Sequence, residues 1–93
     1  MTEEETIARA LDAEAILNNA LVKEAFETLD RKLYDAFKDA PARDKEGREY
    51  IHKMSKVLSD FRTHFEAIVR LGEDARAVIK DREKQSLLGR LVA

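Results

Sequence analysis

"IVRLGEDARAV", residues 68–78, is the stretch that decides the fold, because a glycine followed by two acids resembles the end of one helix and the start of another. The apolar positions around Gly72 argue against an end there. They continue in alternating steps of three and four residues, without the change of phase that a helix end normally brings. The sequence therefore predicts one long helix from about 44 to about 84. The positions that carry this pattern are Ile51, Met54, Leu58, Phe61, Phe65, Ile68, Gly72, Ala75 and Ile79.

Gly72 and Ala75 are two small residues within that pattern. A glycine inside a helix costs about 1 kcal/mol relative to alanine. We expect this cost to be offset by a neighbouring backbone that approaches closely at this point. The candidates for that neighbour are another helix of this chain, a second copy of the chain or a different protein.

Two shorter helices are predicted before the long one, over about 3–17 and about 20–39. Thr2 followed three residues later by Glu5 matches a capping box at the first helix. Asn19 interrupts the pattern and is a suitable cap for the second helix. The second helix has a single apolar stripe with helical spacing, formed by Val22, Phe26, Leu29, Leu33 and Phe37.

The stretch "DAPARD", residues 39–44, is the clearest loop of the chain. Pro41 disfavours helical backbone at the residue before it and has no amide hydrogen of its own. Asp44 follows as the expected cap of the long helix. The whole chain of 93 residues is therefore predicted to be a single all-α domain, either a helical hairpin or a three-helix bundle.

A second stripe runs along the long helix beside the first, with one residue in every seven. It consists of Tyr50, Val57, His64, Leu71 and Val78. The apolar face then covers three heptad positions, whereas a seam between two helices needs only two. This surplus favours self-association, with a dimeric four-helix bundle as one outcome. We predict that this stripe, together with Gly72 and Ala75, contacts a partner.

The last residues, 86–93, form an apolar tail around Gly89. Apolar residues at a free end usually dock on the core, so we expect docking here, with a partner-binding segment as the alternative. Leu87, Leu88 and Leu91 are the tail residues that we include in the predicted contact surface.

Composition limits the possible functions. The chain has no cysteine, which excludes disulfides and zinc–thiolate sites and fits a reducing compartment. Its acidic start, "MTEEET", is unlike a secretory signal, and no apolar run is long enough to cross a membrane. Residues 1–40 carry ten acids and five bases, net −5, and residues 41–93 carry nine acids and twelve bases, net +3. Antiparallel packing of the two halves would pair these opposite charges.

Candidate chemistry is sparse. Glu49 and His52 have the Glu-x-x-His spacing of di-iron bundles, and Glu24 or Glu27 could supply a further ligand. The pair flanks the apolar seam on its charged side, however, which favours a solvated pair. His64 is expected to be structural, with a pH-sensitive contact as the alternative. No serine has a base and an acid at a recognisable spacing, and there is no glycine-rich phosphate loop. We predict no catalytic residue, no metal site and no cofactor.

A basic strip lies on the outer face of the long helix. A nucleic-acid reader is typically a basic domain with a short turn before its recognition helix. This chain has a net charge of −2, and its loop precedes a much longer helix. We therefore interpret the strip as a solvated face and expect no nucleic-acid partner. Its residues are Lys45, Arg48, His52, Lys53 and Lys56.

Three segments resemble a loose family of short helical proteins from tailed phages and prophages. They are "ALVKEAFETLDRKLYDAF" (20–37), "RDKEGREYIHKM" (43–54) and "LSDFRTHFEAIVRLGEDA" (58–75). Members often have a tryptophan near the end of the second helix, where this chain has Tyr34 and Phe37. The resemblance implies a small virion component or an accessory protein that acts on the host, and no catalytic residue is carried over.

These observations lead to one functional prediction and two alternatives. We expect a non-enzymatic helical module that binds other proteins, itself included, as part of a phage virion or its assembly. The first alternative is an accessory inhibitor of a host protein, similar to an anti-CRISPR factor. The second is a Glu-x-x-His metal-binding protein. The expected location is the cytoplasm of the host cell or the virion.

Overall fold

The computed structural model describes residues 1–92, and within them the chain forms three α-helices and no strand. Helix α1 spans Glu3–Asn18, α2 spans Ala20–Asp39 and α3 spans Lys45–Val92. The predicted all-α class is confirmed. Gly72 lies inside α3, so the helix continues through "IVRLGEDARAV" as the uninterrupted spacing indicated.

Each helix begins at a side chain that accepts hydrogen bonds from the first turn. Oγ1 of Thr2 accepts the backbone N–H of Glu5 at 3.1 Å. Oδ1 of Asn19 accepts the N–H groups of both Leu21 and Val22, at 2.9 and 3.1 Å. These contacts satisfy amide donors that have no partner within the helix.

Asp44 caps α3 in the same way, because its Oδ1 accepts the N–H of Gly47 at 3.0 Å. At the other end of the loop, Ala40 has extended backbone with φ −67° and ψ 133°, as expected for a residue before proline. The guanidinium of Arg48 donates to the carbonyl of Ala40 at 3.4 Å and lies over the ring of Phe37, 4.1 Å from its centroid. The side chain of Arg48 therefore ties the start of α3 to the end of α2.

The end of α3 differs from the prediction. The helix ends at Val92, eight residues beyond the predicted end at 84. The residues after Lys84 are mostly good helix formers, and Gly89 alone costs only about 1 kcal/mol, which is too little to end a helix. The predicted tail is thus the last part of α3, and its final residue, Ala93, lies outside the described residues.

The chain divides into two compact units that share α3. Unit 1 consists of Met1–Ala15 and the chain from Phe65 onward, so it pairs α1 with the second part of α3. Unit 2 consists of Ile16–His64 and pairs α2 with the first part of α3. Each unit is described separately below.

Unit 1 contains every residue that is buried within the described chain. All of them are alanine or glycine except Ile68, which is the one large side chain. The close approach of α1 to α3 explains this composition, since small side chains allow two helix backbones to come near each other. The buried residues are Ala10, Ala13, Ile68, Gly72 and Ala75.

Unit 2 is built from larger side chains but buries none of them fully. No residue of α2 is buried, although Val22, Phe26 and Leu33 are half-buried. The rings of Phe26 and Phe61 meet at 6.1 Å between centroids with a tilt of 49°, a favourable aromatic geometry. Phe61 nevertheless remains 56% exposed. The helix pair in unit 2 therefore shields only one side of each apolar stripe.

Candidate functional site

An open groove lies between α2 and the first part of α3 in unit 2, and we call it the unit 2 groove. Its volume is about 400 Å³, and its lining is apolar apart from Lys32. Exposed apolar surface of this kind marks contact sites for other molecules. The lining residues are Leu29, Lys32, Leu33, Met54, Val57, Leu58 and Phe61.

The groove exists because two helices contact each other along one line only. Leu33 and Leu58 lie near that line and are half-buried. Leu29, Met54 and Phe61 lie beside it, so 45%, 37% and 56% of their surface remains exposed. A third element would be needed to cover these positions, and the described chain provides none in unit 2.

The predicted second stripe is exposed along its whole length. Tyr50, Val57, Leu71 and Val78 are all about half exposed or more, and His64 is exposed as well. Val57 is the stripe residue that lines the unit 2 groove. The structure therefore leaves the stripe available for contact without showing what contacts it.

Gly72 and Ala75 do not belong to that exposed surface, which corrects their grouping with the stripe. Both are buried in unit 1. A β-carbon placed on Gly72 would overlap Cβ of Ala10, and Cα of Ala10 and the carbonyl oxygen of Thr6 are each 3.6 Å away. The close neighbour at Gly72 is therefore α1 of the same chain.

The apolar end of α3 is also exposed. Leu87, Leu88 and Leu91 have more than half of their surface accessible, so the expectation that this segment docks on the core is wrong. Gly89 has no atom within 4 Å of the position that a β-carbon would occupy. Nothing packs closely on this part of the helix, because α3 continues here beyond the residues that α1 buries.

Two arginines of α3 lie over aromatic rings of α2 in unit 2. The guanidinium of Arg62 lies over the ring of Phe26, 4.6 Å from its centroid, and pairs with Asp30 at 3.0 Å. Arg48 covers the ring of Phe37 in the same way. Such cation–π contacts shield aromatic surface from water. Apolar surface also remains open beside these arginines, where Tyr34 is 64% and Phe37 is 43% exposed.

The fold brings no further metal ligands together with Glu49 and His52 among the described residues. Glu49 and His52 are both exposed. Among residues 1–92, no group of three or more His, Asp or Glu side chains is arranged to hold a metal ion. This pair alone provides too few ligands for a di-iron centre, which draws on four helices.

In unit 1 a charged contact connects α1 to α3. Arg82 forms a two-pronged ion pair with Glu3, with N–O distances of 2.6 and 3.2 Å. The hydrogen bond to Glu3 and the charge of that carboxylate raise the pKa of Arg82 above its usual value. The contact links the first turn of α1 to α3 at an exposed position.

One residue of the basic strip, Arg48, contacts other residues of the chain. Arg48 is engaged with Phe37 and Ala40, so its guanidinium is directed at the chain itself. Lys45, Lys53 and Lys56 remain exposed. Three lysines of the strip are therefore accessible to solvent, and the absence of a nucleic-acid partner stays a prediction.

No protein-family model, no curated protein and no solved structure matches this chain. Among the helices of residues 1–92, none has a stretch long and apolar enough to span a lipid bilayer. The candidate site therefore rests on the geometry of unit 2.

Leu29, Met54 and Phe61 are the groove residues whose exposure the sequence analysis missed. The spacing of all three predicts positions in the seams between helices. The usable signal was the width of the apolar face of α3, because positions at its edge cannot all be covered by one neighbouring helix.

Proposed function

We propose that this protein is a non-enzymatic helical module that binds protein surfaces through the unit 2 groove, with a second copy of itself or another protein as partner. One observation carries the proposal. Helix α2 has a complete apolar stripe but not one buried residue, and the groove beside it is lined by apolar side chains. Covering that groove is the contact that the architecture supports best.

Removing apolar surface from water is favourable by about 25 cal/mol per Å², and only the part left after the entropy cost of association appears as affinity. Leu29, Val57 and Phe61 each leave about half of their surface accessible. These side chains are held by two helices that are already formed, so little further ordering is needed when a partner covers them.

The resemblance to phage and prophage proteins favours a virion component or an assembly protein as the biological setting. A groove that needs a protein partner fits that setting, since assembly proteins act by contact. The location then follows as the virion or the cytoplasm of the infected cell.

Site-specific photo-crosslinking in cells tests the proposal. A benzophenone amino acid replaces Val57 in the groove, and the same amino acid replaces Ser59 in a matched control. Two residues along a helix are about 200° apart around its axis, so Ser59 points away from the groove. We expect protein adducts from position 57 and few from position 59.

Equal adducts from both positions, or none from position 57, would contradict the proposed surface. The mass of the adduct identifies the partner. A virion protein or a second copy fits the assembly function, whereas a host protein would indicate the inhibitor.

A further inference from the structure

We infer that the partner covering the unit 2 groove is a second copy of this chain, with α3 of one copy antiparallel to α3 of the other around Val57. This inference rests on the proposed function and adds the identity of the partner. It makes the dimer a four-helix arrangement, in which each copy contributes α2 and residues 45–64.

The first argument is the missing core of unit 2. No residue in Ile16–His64 is fully buried, and the contact between Phe26 and Phe61 leaves the second ring more than half exposed. Small domains depend on a buried apolar core for their few kcal/mol of stability. A pair of helices without one needs cover whenever the chain is folded. A second copy is the one partner that is present wherever the chain is made.

The second argument is surface area. The chain exposes 7645 Å², whereas a compact monomer of 10.6 kDa exposes about 5,500 Å². The excess of roughly 2,000 Å² is comparable to the area that one subunit loses in an obligate dimer. Part of this surplus lies at the unit 2 groove, where Leu29, Val57 and Phe61 are each about half exposed.

The third argument is the self-complementary charge beside the groove. Lys53 lies one turn before Val57 and Asp60 lies one turn after it, both on the outer flank of the Val57 side of α3. A two-fold axis near Val57 places the same residues of two antiparallel helices opposite each other in reverse order. Lys53 of each copy then faces Asp60 of the other, which adds two opposite-charge pairs to the contact.

Light scattering and disulfide trapping test the inference together. The wild-type chain should have twice its mass of 10.6 kDa at micromolar concentration. Because the chain has no cysteine, Val57→Cys introduces a single thiol near the proposed axis, and oxidation should convert most of the protein to a covalent dimer. Ser59→Cys, on the other side of the same helix, should remain largely uncrosslinked.

A second pair of variants distinguishes loss of the dimer from loss of the fold. Val57→Lys should raise the dimer dissociation constant by roughly a hundredfold or more, because it places a charge of the same sign from both copies in an apolar contact. Ser59→Lys adds the same charge outside the contact and should leave the constant within about threefold. Circular dichroism of both variants checks that the helices remain.

Three results would overturn the inference. A wild-type mass of 10.6 kDa at millimolar concentration excludes the dimer. A covalent dimer that forms in the Ser59→Cys variant and not in the Val57→Cys variant excludes this face. A photo-adduct from position 57 with a different protein, found together with a monomeric mass, excludes the second copy while the proposed interaction function stands. A monomer without any adduct at position 57 would refute both.

Discussion

Unit 1 and unit 2 use the same long helix in two different ways. In unit 1 the contact of α1 with α3 is made by small residues, and Ala10 meets Gly72 so closely that no β-carbon fits at position 72. In unit 2 the contact of α2 with α3 is made by larger side chains, including Phe26 and Phe61. The unit with the small residues is the one that contains buried residues.

The difference shows that burial in a two-helix contact depends on how closely the backbones approach. Small side chains bring the helices together until their flanks exclude water, whereas large side chains separate the helices and leave their own edges exposed. Unit 1 therefore buries the line of contact between its helices, although Leu71 and Val78 beside it stay about half exposed. Unit 2 is an open contact that offers its edges to a partner.

Truncation of one apolar side chain in each unit is expected to give the largest contrast. Ile68 in unit 1 is 8% exposed and Leu29 in unit 2 is 45% exposed. Ile68→Ala should lower the free energy of unfolding by about 3 kcal/mol through lost burial and a cavity. Leu29→Ala should lower it by about 1 kcal/mol in the monomer, because about half of the side-chain surface is already in water. Urea denaturation measures both.

The difference between Ile68→Ala and Leu29→Ala should also depend on protein concentration. If a second copy covers the unit 2 groove, the cost of Leu29→Ala should increase with protein concentration, while that of Ile68→Ala should not. If both variants lose the same free energy of unfolding at low protein concentration, unit 2 buries its apolar side chains as fully as unit 1 does.

A methyl group added at Gly72 is expected to have the next largest effect. In an open helical position Gly→Ala stabilises by about 1 kcal/mol. At Gly72 the added β-carbon overlaps Ala10 across the contact, and forcing extra volume into a packed site costs about 1–3 kcal/mol. We expect a net loss of about 2 kcal/mol, measured by thermal and urea unfolding.

Two controls belong to the Gly72 variant. Gly89→Ala makes the same change in the same helix where no atom lies within 4 Å, so it should be neutral or slightly stabilising. Ala10→Gly removes the overlapping methyl group, and the double variant should lose less than the sum of the single variants. An additive double variant would refute the close contact between α1 and α3.

The sequence supported the helical architecture well, because its local signals agreed with each other. The side chains of Thr2, Asn19 and Asp44 cap the helices as predicted, although the Glu5 carboxylate accepts from the Thr2 hydroxyl and not from its N–H as in a full capping box. The regular spacing around Gly72 identified a continuous helix. These features depend on residues that are close together in the chain, so they can be recognised from the sequence alone.

The candidate site was less predictable because it depends on which helix lies against which side of α3. Spacing alone assigned Phe61 to a covered seam, but its exposure depends on the distance between α2 and α3. Gly72 posed the same difficulty, since the pattern required a close neighbour without indicating that it was α1. The length of α3 beyond residue 84 was underestimated because exposed apolar residues suggested a folded-back tail.

The helix caps give a further difference between the two units, with a smaller expected effect on the free energy of unfolding. Asn19 satisfies two amide groups at the start of α2, whereas Thr2 satisfies one at the start of α1. Asn19→Ala should cost about 1 kcal/mol and Thr2→Ala about half as much. Replacement by Ser or Asp at either position should retain most of the stability. A larger loss at Thr2 would indicate that α1 depends on its cap more than on its packing against Gly72.

The ion pairs are expected to have the smallest effect, and they differ between the units in kind. Arg82 in unit 1 contacts Glu3 alone, whereas Arg62 in unit 2 contacts both Asp30 and the ring of Phe26. Exposed ion pairs contribute little and weaken in salt. Arg82→Ala should therefore lower Tm by a few degrees at most, and the loss should disappear in about 1 M NaCl.

Arg62→Ala should retain part of its Tm loss at the same high salt concentration, because the guanidinium also covers apolar ring surface that salt does not expose. Asp30→Ala provides the matched control, since it removes the same ion pair and leaves the arginine over Phe26. If the Arg62 and Asp30 variants lose the same Tm in high salt, the stacking on Phe26 contributes nothing. The arginine over Phe26 would then protect no apolar surface, and this side of the α2–α3 contact would be as open as the groove.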